Sequence, residues 1–409
     1  MTEFPVSHIR SLFPAFQDQF IFFDNAAGTQ SPKVVLAAVA NHLLYRHVQR
    51  GGRYRQSREV DKVITESRES VGLLVNARHP DEIAFGMNAT SFMRMISLAI
   101  GQSFKDRREI IVTDLDHEAN IATWLDLKRE GAKIFWWHIR DDGGLHPEDL
   151  AKLLSPRTRI VACTLASNAI GSIVNISEVS RLAHAAGAEV FVDAVHYGPH
   201  GPIDVQAFDC DYMVCSGYKI FSPHMGFLWG RHEVLNALPI FREEFILDTT
   251  PAKLEIGTYV YENVAGMNAA VHYLEELGRQ IDPAATSRRA ALVAATEAIR
   301  NYEATLSREM LSELAECKAS VYGIADQDKI SYRTPTFCFN LPGHSPAKVT
   351  EHFAARDIGV RDGHMYSPRL MKRLGLTQES GAVRASLVHY NTIDEVHIFG
   401  AALAEITGT

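Results

Sequence analysis

The sequence predicts an α/β protein whose central sheet is mostly parallel and covered by helices on both faces. Between about residues 81 and 230, short apolar runs alternate with amphipathic segments such as NISEVSRLAHAAG. The apolar runs are EIIVTD, AKIFWWHI, TRIVACTL, AEVFVDAV and DYMVCSG. Continuous apolar runs of this kind are typical of parallel strands buried on both faces. Such sheets bind ligands at the carboxyl ends of their strands, so the polar residues there are the candidate site residues.

The pattern changes after about residue 266. Long helical segments come first, and short strands follow; the four segments are MNAAVHYLEELGRQ, SRRAALVAATEAIRNYEATLSREMLSELAECK, TPTFCFNL and GAVRASLVHY. We therefore expect a large domain at residues 21–265 and a smaller α+β domain at residues 266–409.

Composition excludes several kinds of partner. The chain has 409 residues, of which 46% are hydrophobic, enough for a large buried core. Its formal net charge of -8 gives no reason to expect nucleic acid. The start MTEFPVSHIR has no signal-peptide pattern, and no apolar run is long enough to span a bilayer. We expect a cytoplasmic protein that does not contact membranes.

The cysteines give no indication of a metal site. Their number is odd and no C-x-x-C pair occurs, so zinc is not expected. Reduced, mostly buried thiols are the expectation for all five, which are Cys163, Cys210, Cys215, Cys317 and Cys338.

Two residues of opposite charge follow the ends of two predicted strands. Asp193 ends AEVFVD, and Lys219 follows DYMVCSGY, so we expect both side chains at the same edge of the sheet. Pyridoxal 5′-phosphate chemistry needs these two residue types: a lysine that forms an imine, and a carboxylate that keeps the ring nitrogen protonated. Taken singly, an aspartate that caps a loop and a lysine on the surface would explain them as well. The residues around them decide between these interpretations.

Residues 192–230, VDAVHYGPHGPIDVQAFDCDYMVCSGYKIFSPHMGFLWG, resemble the class V aminotransferase family, especially its cysteine-desulfurase-like branch. The resemblance extends over nearly the whole chain. It implies the fold-type I architecture: a large domain with a mostly parallel seven-stranded sheet between helices, a smaller α+β C-terminal domain, and an N-terminal arm at residues 1–20 that packs on the small domain. It also implies a homodimer with shared active sites, Lys219 as the imine-forming lysine and Asp193 beneath the ring nitrogen.

The resemblance implies further cofactor ligands. His117, in DHEAN, matches the histidine that stacks on the cofactor ring and assists proton transfer. Asn168 and His196 match residues near the phenolic oxygen, although many relatives have glutamine at the position of His196. The residues matching phosphate ligands are the backbone of Ala89, Thr90, Ser216, Tyr218 in place of the usual histidine, and Thr258 from the neighbouring subunit. Without the resemblance, Thr90 would be a helix cap and Thr258 a loop residue.

Three arginines and Tyr366 are candidate substrate ligands. Arg384, in GAVRASLVHY, matches the family arginine that holds the α-carboxylate, a task suited to a planar bidentate donor. Arg53 and Arg55 lie in the charged run RHVQRGGRYRQSRE, where they either form a solvated face or bind an acidic group of the substrate. The substrate that the resemblance implies is a small amino acid.

One family feature is missing. In cysteine desulfurases a mobile loop presents a cysteine that accepts sulfur, and the matching segment here, VRDGHMYSPRLM, has none. Tyr366 stands near that position, and Cys338 lies inside the predicted strand TFCFN. We therefore expect a carbon–sulfur lyase that works by β-elimination without a persulfide cysteine. Transamination and epimerisation stay open, and a non-catalytic partner in sulfur transfer is the remaining alternative, which the retained lysine, aspartate and arginine disfavour.

Overall fold

The computed structural model describes residues 4–377 and 379–408; residues 1–3 of the predicted arm and residues 378 and 409 of the predicted small domain lie outside them. The strands are β1 Ile21–Phe22, β2 Ile83–Gly86, β3 Glu109–Thr113, β4 Lys133–Trp137, β5 Thr158–Thr164, β6 Glu189–Asp193, β7 Tyr212–Ser216, β8 Gly226–Gly230, β9 Ser320–Tyr322, β10 Thr336–Asn340, β11 Ile358–Gly359, β12 Arg361–Gly363 and β13 Ala382–Ser386. The helices are α1 Val6–Ser11, α2 Lys33–Tyr45, α3 Arg55–Val75, α4 Ala89–Gln102, α5 Ala119–Asp126, α6 Pro147–Leu153, α7 Ile176–Ala185, α8 Val205–Phe208, α9 His232–Ala237, α10 Tyr261–Ile281, α11 Arg288–Glu316, α12 Pro346–Ala354, α13 Pro368–Arg373 and α14 Ile393–Thr407.

The large sheet has seven strands in the described part of the chain, in the order β2-β8-β7-β6-β5-β3-β4. Neighbouring strands from β4 to β7 run parallel, whereas β8 is antiparallel to both β7 and β2. The predicted mostly parallel sheet and the five predicted strands are confirmed. Every residue of β3 and β7 is buried, which is the reason that these strands are apolar except at their ends, where Glu109, Thr113 and Ser216 lie.

Alternate residues of the central strands enter two different cores. On β6, Phe191 packs in the core with helices α4 and α5, whereas Val190 and Val192 pack in the core on the opposite face. Burying each such side chain stabilises the fold by about 1.5–3 kcal/mol. By the same alternation Asp193 lies on the face of Phe191, the face covered by α4 and α5.

The C-terminal part of the chain forms its own sheet. β12, β13, β10 and β9 are antiparallel in that order, and the core beneath them includes Leu306, Phe339 and Phe399. This is the α+β texture expected after residue 266. The exact limits of the two domains stay a prediction.

The N-terminal segment lies against the C-terminal part. Phe4 stacks on Tyr302 with ring centroids 4.4 Å apart, and Arg10 donates to Glu395 at 2.8 Å. Strand β1 then pairs in parallel with β11, so this association continues beyond residue 20. Among the described residues no helix is both long and apolar enough to cross a bilayer.

Candidate active site

A cavity of about 420 Å³ lies at the carboxyl ends of β5, β6 and β7. We call the residues there, Thr164, Asp193, Ser216 and Lys219, the sheet rim. The residues predicted from the sequence that line the cavity are Ala89, Thr90, His117, Asn168, Asp193, His196, Ser216, Tyr218 and Lys219. The structure therefore brings nine of the fourteen predicted site residues into one cavity.

Lys219 lies in a short 3-10 turn directly after β7 and is 5% exposed. Burial lowers the pKa of its amine from 10.5 to about 8, because water no longer stabilises the ammonium form. The positive charge of Arg384 lowers this pKa further, and Asp193 opposes both effects. Near neutral pH a useful fraction of Lys219 is thus an uncharged nucleophile.

Asp193 is the last residue of β6 and is 4% exposed. Burial raises the pKa of its carboxyl to about 6, while a hydrogen bond from the Val195 backbone N–H, at 2.9 Å, and the charge of Lys219 favour the ionised form. A carboxylate in this setting is stabilised by any cation that enters the cavity beside it.

A second buried carboxyl, Asp116, was missed by the sequence reading. It accepts hydrogen bonds from the Thr113 hydroxyl and from Asn120 Nδ2, the latter at 2.7 Å. Burial, together with the nearby charge of Asp193, raises the pKa of Asp116 to about 8. Because Asp116 is mostly protonated at neutral pH, it does not repel the ionised form of Asp193. The segment DLDHEAN contains both Asp116 and His117, but only His117 is predicted from it as a site residue.

His117 is held in one neutral form. Burial, with Lys219 and Arg384 next in size, lowers its pKa to about 4, so the ring is uncharged at neutral pH. Its Nδ1 accepts a hydrogen bond from the Ala119 backbone N–H at 3.0 Å, which leaves the proton on Nε2. A neutral, fixed imidazole ring can stack on a flat aromatic ligand.

His196 is buried and has one nitrogen without a partner. Its Nε2 lies 2.9 Å from the Thr336 hydroxyl, and burial holds its pKa well below the usual value. Its Nδ1 is buried and makes no hydrogen bond with any described residue. An unpaired buried nitrogen is costly, so a polar atom of a ligand in the cavity would satisfy it.

Backbone N–H groups at the start of α4 face the cavity. Asn88 caps the helix by accepting from the Ser91 N–H at 2.9 Å, so Thr90 is not the cap but a first-turn residue of the cavity wall. The Ala89 N–H points to Ser216 Oγ at 3.4 Å. Gly226 on β8 permits this close approach, since a Cβ there would lie 2.4 Å from the Asn88 carbonyl carbon. The N-terminus of a helix together with hydroxyl groups suits an anion.

Tyr218 lies beside Lys219 at the same end of the cavity. Its ring stacks on His224, with centroids 5.2 Å apart, and Lys219 Nζ lies 5.8 Å from the ring centre. Burial raises the pKa of the phenol to about 12, so the hydroxyl keeps its proton and can donate a hydrogen bond.

Arg384 lies on β13 and is 1% exposed. It donates through Nη1 to the Asn168 backbone oxygen and through Nη2 to Asp24 Oδ1, each at 2.8 Å, and its Nε has no partner among the described residues. Asp24 also accepts from Arg361 at 2.9 and 2.8 Å. The sequence reading missed Asp24, although FFDNAAG places it directly after a short strand.

Three predicted residues lie away from the cavity of this chain. Arg53 and Arg55 are exposed, and Arg55 lies 3.8 Å from Glu59. Thr258 is exposed and its hydroxyl accepts from Gln49 Nε2 at 3.0 Å in a separate groove. The predicted role of Thr258 depends on a neighbouring subunit, and the roles of Arg53 and Arg55 stay predictions.

Tyr366 packs beside His117, which lines the cavity. Its ring stacks on His117, with centroids 5.7 Å apart and planes 27° apart, and its side is open to solvent. All five cysteines are buried, and Cys338 lies within β10 as predicted. Burial raises the pKa of Cys338 and of Cys215 to about 12.

These features fit pyridoxal phosphate. A nucleophilic lysine, a carboxylate, a neutral flat imidazole, an unsatisfied histidine nitrogen and a helix N-terminus surround one small cavity. Taken in the same order, these five features match the aldehyde, the ring nitrogen, the ring face, the phenolic oxygen and the phosphate of the cofactor.

Known proteins are similar over the whole chain. A cysteine desulfurase of Thermococcus onnurineus, solved in its apo form, superimposes with a TM-score of 0.88 at 26% identity, covering 100% of this chain and 99% of that one. The cysteine desulfurase CsdA of Escherichia coli gives a TM-score of 0.83 at 26% identity, with coverage of 99% and 98%. This likeness places the fold among the fold-type I pyridoxal-phosphate enzymes.

Two curated relatives agree. An aminotransferase-like protein, FGM3, of Gibberella zeae is 33% identical over 97% of this chain and 96% of its own length. A cysteine desulfurase of Synechococcus elongatus is 31% identical over 98% of this chain, which spans 64% of that longer protein. The profile described as aminotransferase class-V matches residues 21–399. The chain belongs to the class V aminotransferase family of pyridoxal-phosphate-dependent enzymes, as predicted.

Proposed function

We propose that the protein is a carbon–sulfur lyase that releases sulfur from a cysteine-like amino acid by β-elimination and uses no persulfide cysteine. The observation that carries this proposal is Tyr366, which packs on His117 beside the cavity and stands near the position where the family resemblance places a sulfur-accepting cysteine. The buried cysteines support it, since a buried thiol of raised pKa is a poor sulfur acceptor.

Nine residues of the cavity would hold the cofactor. Lys219 would bond covalently to it, and Asp193 would lie beside its ring nitrogen, whose proton then favours the ionised carboxylate. His117 would cover the ring face, while Asn168 and His196 would bond the phenolic oxygen. The phosphate would bind the α4 N-terminus at Ala89 and Thr90, with Ser216 and Tyr218 as further donors.

Arg384 would bind the substrate's α-carboxylate. Its Nε has no partner and its charge is only partly balanced by Asp24, which Arg361 shares. An incoming carboxylate would supply that partner and orient the amino acid with its Cα toward Lys219.

Lys219 would move the proton. When bound, the cofactor withdraws electrons from the substrate's Cα and so makes its C–H bond acidic. Once the substrate's amine had displaced it from the cofactor, Lys219 would be a free amine whose pKa near 8 favours both accepting and returning a proton, and it would take the Cα proton as a base. The electron pair left at Cα then forms the Cα–Cβ double bond while the Cβ–S bond breaks and its pair leaves with sulfur. Water converts the released enamine into pyruvate and ammonia.

A second reaction has one supporting observation. The relative from Gibberella zeae is described as aminotransferase-like, and the same cavity could return the proton to the cofactor instead. Transamination is therefore the alternative, and epimerisation would follow if Lys219 returned the proton to Cα.

We also propose that the active unit is a homodimer. Phe245 and Leu247 are 82% and 71% exposed, and both line the groove that contains Thr258. A second copy of the chain would cover these apolar side chains and bring Thr258 toward the partner's phosphate site. Mixed dimers of Lys219→Ala and Thr258→Ala chains would test this, because one of their two sites would be free of both changes and should recover activity.

A panel of amino acids separates the reactions. Holoenzyme is incubated with cysteine, cysteine conjugates and cysteine sulfoxides, and the products are identified. Pyruvate and ammonia in equal amounts, with the sulfur fragment free in solution, are the expected result. A keto acid with loss of the cofactor's aldehyde would indicate transamination, solvent deuterium at Cα without breakdown would indicate epimerisation, and a persulfide on the protein would contradict the proposal.

A further inference from the structure

The segment His364–Ser367, which we call the site loop, closes over the stacked ring of His117. Met365 and Tyr366 have φ angles of 51° and 58°, the left-handed region that non-glycine residues seldom adopt. Two such residues in succession persist only where surrounding contacts hold them.

Hydrogen bonds from two distant segments hold the backbone of the site loop. Asn168 Nδ2 donates to the Met365 carbonyl oxygen at 2.7 Å, and the Glu118 backbone N–H donates to the Tyr366 carbonyl oxygen at 2.8 Å. Ser367 Oγ donates in turn to Asn168 Oδ1 at 3.1 Å. Glu118 is thus attached to the loop residue that carries the stacked ring.

The side chain of Glu118 makes a second attachment. Arg369, two residues after the site loop, donates to it through Nε and Nη2, both at 3.0 Å, in a bidentate arrangement. The Arg369 guanidinium also lies 5.3 Å from the ring centre of Trp136. Glu118 therefore makes two attachments. Its backbone N–H binds the carbonyl oxygen of Tyr366 in the site loop, and its side chain binds Arg369, two residues after the loop.

We propose that the Glu118–Arg369 pair is a latch that holds the site loop shut, so that Tyr366 forms a fixed wall of the cavity. Both are positioning residues that act through Tyr366 and His117. Glu118 adjoins His117 in sequence, so the latch fixes the loop against the residue that covers the cofactor ring. The inference deepens the proposed function: a fixed wall shields the ring from water while sulfur leaves as a free species, whereas a carrier loop has to move.

Exposure sets the strength of the latch. The side chains of Glu118 and Arg369 are 30% and 39% exposed, so salt screens their attraction in part. Opening of the site loop should therefore increase with ionic strength, and this dependence should vanish when the pair is removed.

Two measurements on the holoenzyme test the latch, and neither needs the substrate. Hydrogen exchange reports opening of the loop through the Tyr366 and Ser367 amides. The Tyr366 amide donates to His364 Nδ1 at 3.0 Å, and the Ser367 amide donates to the His364 carbonyl oxygen at 2.8 Å. Hydroxylamine, a small nucleophile that captures the cofactor's carbonyl carbon, reports access to the cavity through the loss of cofactor absorbance.

The variants are Glu118→Gln, Arg369→Gln and both together, with Arg369→Lys as the conservative change. We expect about fivefold faster exchange of residues 361–371 and faster hydroxylamine capture in each glutamine variant. The double variant should be no faster than either single one, because both remove the same interaction. Both rates in Arg369→Lys should lie between those of the unchanged protein and those of the glutamine variants, since lysine keeps the charge but loses the bidentate geometry.

Arg181→Gln is the matched control. Arg181 makes a bidentate pair with Glu178 at 2.7 and 2.6 Å on α7, away from the cavity, so its loss should change neither rate. Rates in the latch variants equal to those of this control, or effects that add in the double variant, would overturn the latch. Because neither rate depends on the reaction, a transamination result in the amino-acid panel would refute the lyase and leave the latch standing.

Discussion

Lys219 and Asp193, at the sheet rim, are held by the strands that carry them, whereas Tyr366, in the site loop, is held by contacts between residues as far as 251 positions apart. The rim is buried and its chemistry follows from desolvation, which moves the pKa values of Lys219 and Asp193 toward neutrality. The site loop is partly exposed and depends on hydrogen bonds and one ion pair. In this molecule the rim provides reactivity, and the loop decides what surrounds the reacting atoms.

Lys219→Ala should have the largest effect, because it removes the only predicted covalent ligand at the rim. We expect activity to fall by at least about 10²–10⁴-fold, as for the loss of a general base, and borohydride should no longer fix the cofactor to the protein. Mass spectrometry of the reduced protein measures the attachment. Lys62→Ala, a change of an exposed lysine on α3, is the control. Attachment that survives in Lys219→Ala would refute the assignment of this lysine.

Arg384→Met tests whether Arg384, on the four-stranded sheet, binds the substrate on which the residues of the sheet rim act. We expect KM for an amino acid to rise about 30-fold or more, because a buried charged donor is lost, with little change in cofactor content. Arg384→Lys should not restore KM, since a single ammonium cannot replace the planar fork. Steady-state kinetics and the cofactor spectrum separate the two effects. An unchanged KM would show that the α-carboxylate binds elsewhere.

The pH dependence of cofactor uptake sharpens the role assigned to burial. Only the neutral amine of Lys219 attacks the aldehyde, so uptake by the apo protein should rise about tenfold per pH unit below 8 and level off above it. Stopped-flow absorbance measures the rate, with a free lysine derivative as the reference that keeps rising toward pH 10. Asp193→Asn should move the plateau to lower pH, because the carboxylate that raises the pKa of Lys219 is gone. A plateau near pH 10 would mean that burial does not tune this amine.

Tyr366→Phe should have the smallest effect. If the loop contributes a wall, the ring suffices and kcat should change by less than about threefold, whereas a proton donor would cost about 10²–10⁴-fold. Tyr366→Ala should speed hydroxylamine capture, because it removes the ring that stacks on His117. A large loss of kcat in Tyr366→Phe would indicate that the Tyr366 hydroxyl donates a proton, and the site loop would then take part in catalysis directly.

The fold was largely readable from the sequence because burial on both faces leaves a simple mark. Strands such as Tyr212–Ser216 are apolar up to their last residue, and their ends mark the rim where Asp193 and Lys219 lie. The class V family assignment is also confirmed. The roles of the individual site residues stay predictions.

The rest depends on contacts between remote segments. Asp24 meets Arg384 across 360 residues, and nothing in FFDNAAG specifies that partner. The protonated state of Asp116 follows from burial that only the packed helices create. Methionine and tyrosine do not prefer the left-handed backbone conformation. At Met365 and Tyr366 it is held by hydrogen bonds from Asn168 and Glu118.

The pairing of Asp24 with Arg384 also bears on biosynthesis. Asp24 is synthesised 360 residues before Arg384, so the candidate carboxylate clamp cannot assemble until β13 has left the exit tunnel. The large sheet can pair much earlier, because its strands lie between residues 83 and 230. A nascent chain could therefore bury Lys219 well before it can hold a substrate, and competence to bind an amino acid would arrive only after β13 had been made.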